Sequence, residues 1–390
     1  MNKINVLKPK YRTQEVLDEI KICLDKGWTG MGFKTIEFEE AWKEYTKLPH
    51  AHFINSNTSG LHLALNILGR EGNWEDGDEV ITTPLTFVSS NHAILYEGLV
   101  PVFADVDETL CLDPQSIKDR ITSKTKAIMY VGMGGNGGNL REIMWICKEH
   151  GLKLILDAAH MAGTYTREMA PEPSGGGYAI CHTGWEADVS MFSFQSVKNL
   201  PTADSGMICF KEEKHDKLVR QLSWLGIDKD TYSRSDDKGS YKWKYDVPNV
   251  GFKYHGNSIM ASVGLVQLKY IDEDNDYRNI IAGWYDESLE GVDGIKRIPL
   301  SWHTHKSSRH VYQILVDEDK RDDIITHFYE NDIYPGVHYI DNTLYPMYKY
   351  AHGTCPSAHK YSKQLITLPI HLNLTEDDIK RVVKTLGEIL

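Results

Sequence analysis

Lys198 is the residue from which chemistry can first be read in this chain. It lies in the stretch Ser193-Phe194-Gln195-Ser196-Val197-Lys198-Asn199-Leu200, a few residues past the β-type run Val189-Ser190-Met191-Phe192. A turn, Pro201-Thr202-Ala203-Asp204-Ser205-Gly206, and a second short strand, Met207-Ile208-Cys209-Phe210, follow. A lysine just past a strand end, among small and hydroxyl residues, is placed to hold a carbonyl compound as a Schiff base. Its primary amine does this once the surroundings lower its pKa enough to free the base. Position alone does not separate such a lysine from a solvated surface charge, so the partners decide.

Three other stretches offer partners. Asp157-Ala158-Ala159-His160 closes an apolar strand over 152–156. Asn55-Ser56-Asn57-Thr58-Ser59-Gly60 joins a short strand over 51–54 to a helix over 61–68. A strand, a small polar loop and a helix start make a natural phosphate seat, because unpaired backbone N–H groups and the helix dipole point at the anion. Thr58 or Ser59 is equally suited to capping that helix, and the two roles are compatible. Phe87, in Pro84-Leu85-Thr86-Phe87, reads either as core or as a ring for stacking. Cys181-His182 puts two metal-ligand types side by side, but without further ligand spacing they define no metal site.

These residues need a frame that brings them together. Strands over 51–54, 79–83, 101–106, 127–131, 152–156 and 189–192 alternate with helices over 61–68, 89–97, 114–120 and 142–150. That rhythm predicts an α/β fold with a mostly parallel, doubly wound sheet. Ligands then bind at the carboxyl ends of the strands, where Ser59, Phe87, Asp157 and Ser193 fall. Residues 165–187 break the rhythm and read as an irregular loop around Pro171, Pro173 and Ser174-Gly175-Gly176-Gly177. Residues 226–246 read as a surface excursion, and one long helix is expected from about 257 past 270. After residue 275 the pattern changes to strands over 310–316 and 367–370 with helices over 321–330 and 375–390. This predicts a large domain over 1–275, N-terminal helices included, and a smaller C-terminal α+β domain over 276–390.

Composition narrows the function classes. The chain has 390 residues, 43 Lys and Arg against 55 Asp and Glu, and a formal charge of −12. That balance argues against a nucleic-acid or anionic-membrane surface. Six scattered cysteines with no CxxC pair suggest reduced thiols rather than a zinc site or a disulfide framework. No stretch reaches the roughly 20 apolar residues of a spanning helix, and the N-terminus has no apolar signal core. A cytoplasmic protein is expected.

Taken in order, the motifs resemble the DegT/StrS-type family of nucleotide-sugar aminotransferases, pyridoxal-phosphate enzymes of the aspartate-aminotransferase fold (fold type I). The likeness runs from Gly27-Trp28 through Thr58-Ser59-Gly60, Gly77-Asp78-Glu79-Val80-Ile81 and Pro84-Leu85-Thr86-Phe87-Val88. It continues through Pro101-Val102-Phe103-Ala104-Asp105-Val106, Asp157-Ala158-Ala159-His160, the Lys198 stretch, Gly251-Phe252-Lys253-Tyr254 and Val337-His338-Tyr339. The resemblance implies that Lys198 holds pyridoxal 5'-phosphate and moves the proton. It implies that Asp157 pairs with the pyridine nitrogen, Phe87 stacks on the ring and His160 lies near the ring hydroxyl. Thr58, Ser59, Gly60 and Ser193 would hold the phosphate. It further implies a homodimer with shared active sites, in which a Gly-Tyr-Asn-Tyr-Arg segment completes the neighbour's phosphate site. Here that segment reads Gly251-Phe252-Lys253-Tyr254-His255, so Lys253 would meet the phosphate as a point charge. Arg309, His338 and Tyr339, with His310 and Tyr345, are the substrate-side candidates.

The expected reaction moves an amino group from a donor, L-glutamate, to a keto-deoxy sugar that is nucleotide-linked, with no nucleic acid and no membrane involved. Two other readings compete with this one. Dehydratases on this scaffold replace the Schiff-base lysine with histidine, and Lys198 is present. A non-enzymatic cofactor-binding regulator would be expected to carry an added DNA-binding segment, and none is seen.

Overall fold

The computed structural model describes residues 2–169, 178–228 and 245–390. At its centre seven strands lie in the order His52–Ile54, Gly206–Phe210, Val189–Ser193, Lys153–Asp157, Thr125–Val131, Glu79–Thr82, Val100–Phe103. Only Gly206–Phe210 runs antiparallel to its neighbours; the other pairings are parallel. This is the expected doubly wound sheet. The central strands are near-continuous apolar runs because helices cover both faces, and Ala127 to Tyr130 are fully buried. Helix Leu140–His150 is a representative cover. Leu140, Ile143, Ile146 and Cys147 form its buried stripe, and Gly151 ends it in the left-handed conformation at φ 66°.

Close packing fixes the strand ends that matter. Trp42 lies 5.0 Å from Phe192 and 5.1 Å from Phe194, ring centre to ring centre, and Phe38 meets Phe53 edge-on at 5.1 Å. All five rings are essentially fully buried. Phe192 and Phe194 flank Ser193, so the strand carrying the lysine turn is clamped by aromatic packing on both sides of that serine. Gly206 permits another close approach. A β-carbon there would come within 2.8 Å of the Phe192 carbonyl oxygen and 3.0 Å of the Asn57 amide nitrogen.

The C-terminal third forms a second apolar cluster around Ile281, Tyr285, Ile314, Phe328, Ile366 and Ile379. It is built on the antiparallel strands Lys296–Arg297, Tyr312–Leu315 and Leu365–Leu368. Ile4 joins this cluster, because Ile4–Asn5 pairs with Ile333–Tyr334. Residue 275 falls inside helix Ile271–Ser288.

Two expectations need correction. Residues 165–187 are not all irregular. Tyr165–Met169 and Tyr178–His182 pair antiparallel, and Thr304–Lys306 adds a third strand to Tyr165–Met169. The partner strand is more than a hundred residues away, so local propensity could not reveal it. The proline- and glycine-rich residues 170–177 lie outside the described residues, as do 229–244 of the expected surface excursion. The long helix expected past residue 270 is two helices, Ser258–Leu268 and Ile271–Ser288. The first is apolar all round and packs against the N-terminal helices Thr13–Asp25 and Phe33–Thr46, where Gly264 lets Phe38 approach. The second opens with Asp272, Glu273 and Asp274 in its first turn, which the helix dipole favours, and Asp274 is gripped bidentately by Arg12 at 2.6 and 2.7 Å.

A buried ion pair anchors the edge strand. Glu39 accepts from the Phe53 amide at 2.8 Å, from His52 Nδ1 at 2.9 Å and from Arg220 Nη1 at 2.7 Å. Burial opposes its charge, but Arg220 and His52 outweigh that cost and bring its carboxyl from the ordinary 4.5 down to about 2. A carboxyl lowered on folding stabilises the fold fully above its ordinary value and loses that contribution as pH falls toward the folded value. Glu39→Gln should therefore cost roughly 3 kcal/mol at neutral pH, the low end for a broken buried pair because Arg220 is partly exposed. In urea melts the gap between the parent protein and this variant should close between about pH 4.5 and pH 2. A gap independent of pH would show that Glu39 acts by packing alone.

Candidate active site

A cavity of about 530 Å³ opens at the carboxyl ends of the parallel strands. Thr58, Phe87, Asp157, His160, Ser193, Lys198, His338 and Tyr339 line it, joined by Asn57, Gln195 and His310. Residues spread over more than 280 positions thus meet in one place, as the reversal of strand order in an open α/β sheet predicts.

Asp157 ends strand Lys153–Asp157 and is 3% exposed. Ser90 Oγ donates to its Oδ2 at 2.7 Å, while Asn57 Nδ2 and the Ala159 amide donate to Oδ1 at 3.0 and 3.2 Å. Burial pushes its carboxyl above the usual range despite these donors and the nearby positive charge of Lys198. Three neutral donors do not replace the lost hydration, so this carboxylate has room for a cationic partner. Lys198 is held in a tight turn, with its amide donating to the Gln195 carbonyl at 2.8 Å and Val197 N donating to Gln195 Oε1 at 3.0 Å. Burial lowers its ammonium from 10.5 to about 8, against the pull of Asp157. A sizeable fraction of free amine is then present near neutral pH, as a nucleophile or general base requires. Its Nζ lies 3.4 Å from His310 Nε2.

The histidines around the lysine are held neutral. Burial, then the charge of Lys198, takes His160 and His310 well below 6.5 and His338 to about 4. Gly134, at φ 64°, donates its amide to His160 Nδ1 at 3.2 Å. A ring nitrogen that accepts carries no proton, so His160 bears its proton on Nε2 and donates it to the Tyr339 hydroxyl at 3.2 Å. The hydroxyl proton of Tyr339 is left available to the cavity. His338 Nδ1 is tied to Thr367 Oγ1 at 2.9 Å.

The phosphate-seat expectation is refined. The helix begins at Asn57, and its cap is Ser56, whose Oγ accepts from the Ser59 amide at 3.1 Å. Thr58 faces the cavity, and the amides of Asn57 and Thr58 precede the first intrahelical acceptor. Ser59 does not line the cavity. Its hydroxyl donates inward to Asn55 Oδ1 and the Ser56 carbonyl, at 2.7 and 2.8 Å. Gly60 is also outside the lining; it lets the helix sit on the sheet, since a β-carbon there would lie 2.5 Å from Ile54 Cδ1. Arg309 is directed elsewhere, toward Asp286 at 3.9 Å in a separate groove. Lys253 is likewise absent from its own chain's cavity and lies 3.4 Å above the Trp224 ring centre. Tyr345 packs against the main core. Cys181-His182 has a packing role through its histidine, which is buried, accepts from the Gly163 amide at 3.0 Å and bonds the Thr183 carbonyl at 2.8 Å.

Sequence reading missed Asn57 and Ser90 as the groups that orient Asp157. They lie 100 and 67 positions away, so no local signal points to them. Ser56 carried a signal, a serine three residues before Ser59 at a helix start, that the later expected helix start obscured.

The residues present fit pyridoxal phosphate. Asp157 has capacity for a protonated ring nitrogen. Asn57 Oδ1 is buried without a hydrogen-bond partner. The Phe87 ring is 59% exposed within the cavity wall and offers a face for stacking.

Comparison with known proteins agrees. The pattern of the DegT/DnrJ/EryC1/StrS aminotransferase family matches residues 10–387. The spore coat polysaccharide biosynthesis protein SpsC of Bacillus subtilis is 33% identical over 97% of this chain and 95% of its own length. Among solved structures, the PMP form of the putative sugar aminotransferase Spr1654 from Streptococcus pneumoniae superposes with a TM-score of 0.88 at 28% identity, covering 98% of each chain. PseC of Helicobacter pylori, an aminotransferase involved in the biosynthesis of pseudoaminic acid, superposes with a TM-score of 0.87 at 25% identity, covering 100% of this chain and 99% of its own. With the match running almost end to end and the lysine, the aspartate and the cavity where that chemistry needs them, the chain belongs to the DegT/DnrJ/EryC1/StrS aminotransferase family, as a pyridoxal-phosphate-dependent sugar aminotransferase of fold type I.

Proposed function

We propose that this protein transfers the amino group of L-glutamate to a keto-deoxy sugar carried on a nucleotide, for polysaccharide or glycoconjugate biosynthesis. The observation that carries the reading is the pairing, in one cavity, of a desolvated Asp157 carboxylate with a Lys198 amine lowered to about 8. The names of SpsC and PseC, one in polysaccharide and one in pseudoaminic acid biosynthesis, support the substrate class.

Bound pyridoxal phosphate supplies an electron-poor ring that accepts the electron pair left when a proton leaves the amino-bearing carbon. The rest of the work falls to the chain's own side chains. Lys198 would hold the cofactor covalently and, once released, would carry a proton on Nζ between the amino-bearing carbon and the cofactor within each half-reaction. Asp157 would keep the ring nitrogen protonated. Phe87 would cover one ring face, and His160 and Tyr339 would present a donor to the ring hydroxyl or to the substrate. Thr58, Ser193 and the first amides of helix Asn57–Gly72 would bind the phosphate. His338 and Tyr339 line the cavity and would contact the sugar, whereas Arg309 would need to turn away from Asp286 to reach it. The reading places the work in the cytoplasm. Among the described residues no helix is long and apolar enough to cross a membrane.

The reading includes a homodimer in which Lys253 serves the partner's phosphate site. Its absence from its own cavity supports this, as do the exposed apolar side chains near it, Val250 at 86% and Leu225 at 45%.

Three measurements test the proposal. Lys198→Ala should remove the visible absorbance of the bound cofactor and lower turnover at least about 10³-fold; turnover near the parent level would reject the assigned role. In a panel of amino donors and keto sugars, L-glutamate should bleach the absorbance and a nucleotide-linked keto sugar should restore it. Restoration by a free sugar but not by a nucleotide-linked one would reject the substrate class, whereas 2-oxoglutarate should restore it in any case as the reverse of the donor step. Finally, Lys198→Ala and Lys253→Glu subunits, each weak alone, should recover about a quarter of parental activity when mixed and reassembled, since half the dimers are mixed and each contains one intact site. No recovery from a confirmed mixed dimer would show that Lys253 does not cross the interface.

A further inference from the structure

We propose that His310 is a positioning residue for Lys198: a neutral imidazole whose Nε2, kept free of a proton by the Asn199 side chain, accepts a hydrogen bond from Lys198 Nζ. The inference rests on Lys198 being the reacting amine.

Two backbone carbonyls, which can only accept, fix the orientation of the side chains around His310. The Ala162 carbonyl takes a hydrogen bond from Asn275 Nδ2 at 3.0 Å, which turns Asn275 Oδ1 toward Asn199. Asn199 Nδ2 donates to that Oδ1 at 2.7 Å and to the Ser308 carbonyl at 2.6 Å. Both acceptors demand an N–H, so the amide of Asn199 has one orientation, with Oδ1 facing His310 Nδ1 at 3.0 Å. An amide oxygen cannot donate. His310 therefore carries its proton on Nδ1, and Nε2 presents a lone pair to Lys198 Nζ at 3.4 Å. Two backbone carbonyls thus set the histidine tautomer through two buried asparagines. His310 is 1% exposed, and Asn199 and Asn275 are buried as well.

Burial first, and then the groups that surround the ring, keep it neutral. Lys198 faces it from the turn, His160 from the segment after the Asp157 strand, Arg278 from helix Ile271–Ser288, and His338 from the C-terminal segment. The cations Lys198 and Arg278 would be repelled by an imidazolium, the neutral His160 and His338 would offset none of that, and no carboxylate is among these groups. The His160 ring lies against that of His310 with ring centres 4.4 Å apart and planes inclined by 37°, a close contact that two neutral rings tolerate. When Lys198 holds a proton, His310 therefore receives the hydrogen bond but not the proton. It keeps Nζ at the cavity wall and stabilises the ammonium against the burial that opposes it. Asn199 follows the lysine directly in sequence, so the residue that orients the histidine is tied to the residue the histidine serves.

The test reads Lys198 without cofactor or substrate. The full chain, freed of cofactor, is acylated with limiting acetic anhydride over a pH series, and Lys198 modification is followed by mass spectrometry. The parent midpoint should lie near 8. His310→Asn keeps an amide beside Asn199 but leaves no atom at the former Nε2 position. Its midpoint should fall to about 7, and kcat should drop about tenfold with KM little changed. His310→Gln restores an acceptor near that position, so the midpoint and most of kcat should return, with melting temperatures of both variants read alongside. A His310→Asn protein with an unaltered midpoint would overturn the proposal. So would a His310→Gln protein as impaired as His310→Asn, since packing alone would then explain the loss. Failure of the transamination reading would appear in the donor and acceptor panel and leave this midpoint comparison intact.

Discussion

The Asp157 carboxylate is buried and takes its hydrogen bonds from neutral donors only, and this desolvated charge sets the terms for its surroundings. Charge removed from water must be met by opposite charge or dipoles. Asn57, Ser90 and the Ala159 amide supply dipoles but no cation. The same burial pushes Lys198 toward its free amine and holds His160, His310 and His338 neutral. One physical cause, exclusion of solvent at the strand ends, therefore leaves an acceptor for a cationic ring, a basic amine and a set of uncharged hydrogen-bonding rings in one cavity.

The fold supplies that exclusion by layered packing. Aromatic rings on either side of Ser193 fix the strand leading to Lys198. The missing side chains at Gly60 and Gly206 let helix Asn57–Gly72 settle against the sheet, so that its first amides reach the cavity edge. From the C-terminal third, the Asn342 side chain donates to the Thr86 carbonyl at 2.8 Å, which ties that segment to the loop carrying Phe87. The cavity is thus closed on its C-terminal side by Tyr339, which packs against the same apolar core as the central sheet.

Much of this was legible in the residues. The alternation of strands and helices up to residue 157 matches the structure closely, because parallel strands covered on both faces are written as apolar runs and their helices as amphipathic stripes. Asp157, Lys198, Phe87, Thr58 and Ser193 were placed at strand ends or a helix start, and all five line the cavity. The hairpin of Tyr165–Met169 and Tyr178–His182 was not legible, since its third strand comes from Thr304–Lys306. Nor were the inward turn of the Ser59 hydroxyl and the departure of Arg309 toward Asp286.

By itself, the sequence determined which elements form and which residues stand at their ends, because both follow from local periodicity and short-range sterics. The order of motifs along the chain also determined the family, and with it the cofactor. What only the tertiary structure decided is protonation and direction: which nitrogen of His160 and His310 bears a proton, how far burial moves Lys198, and which hydroxyls face the cavity. Those properties depend on solvent exclusion and on hydrogen-bond partners as distant as Asn57 from Asp157 or Asn199 from His310. They arise only when remote segments are brought within a few ångströms of one another, and no reading of neighbours along the chain contains them.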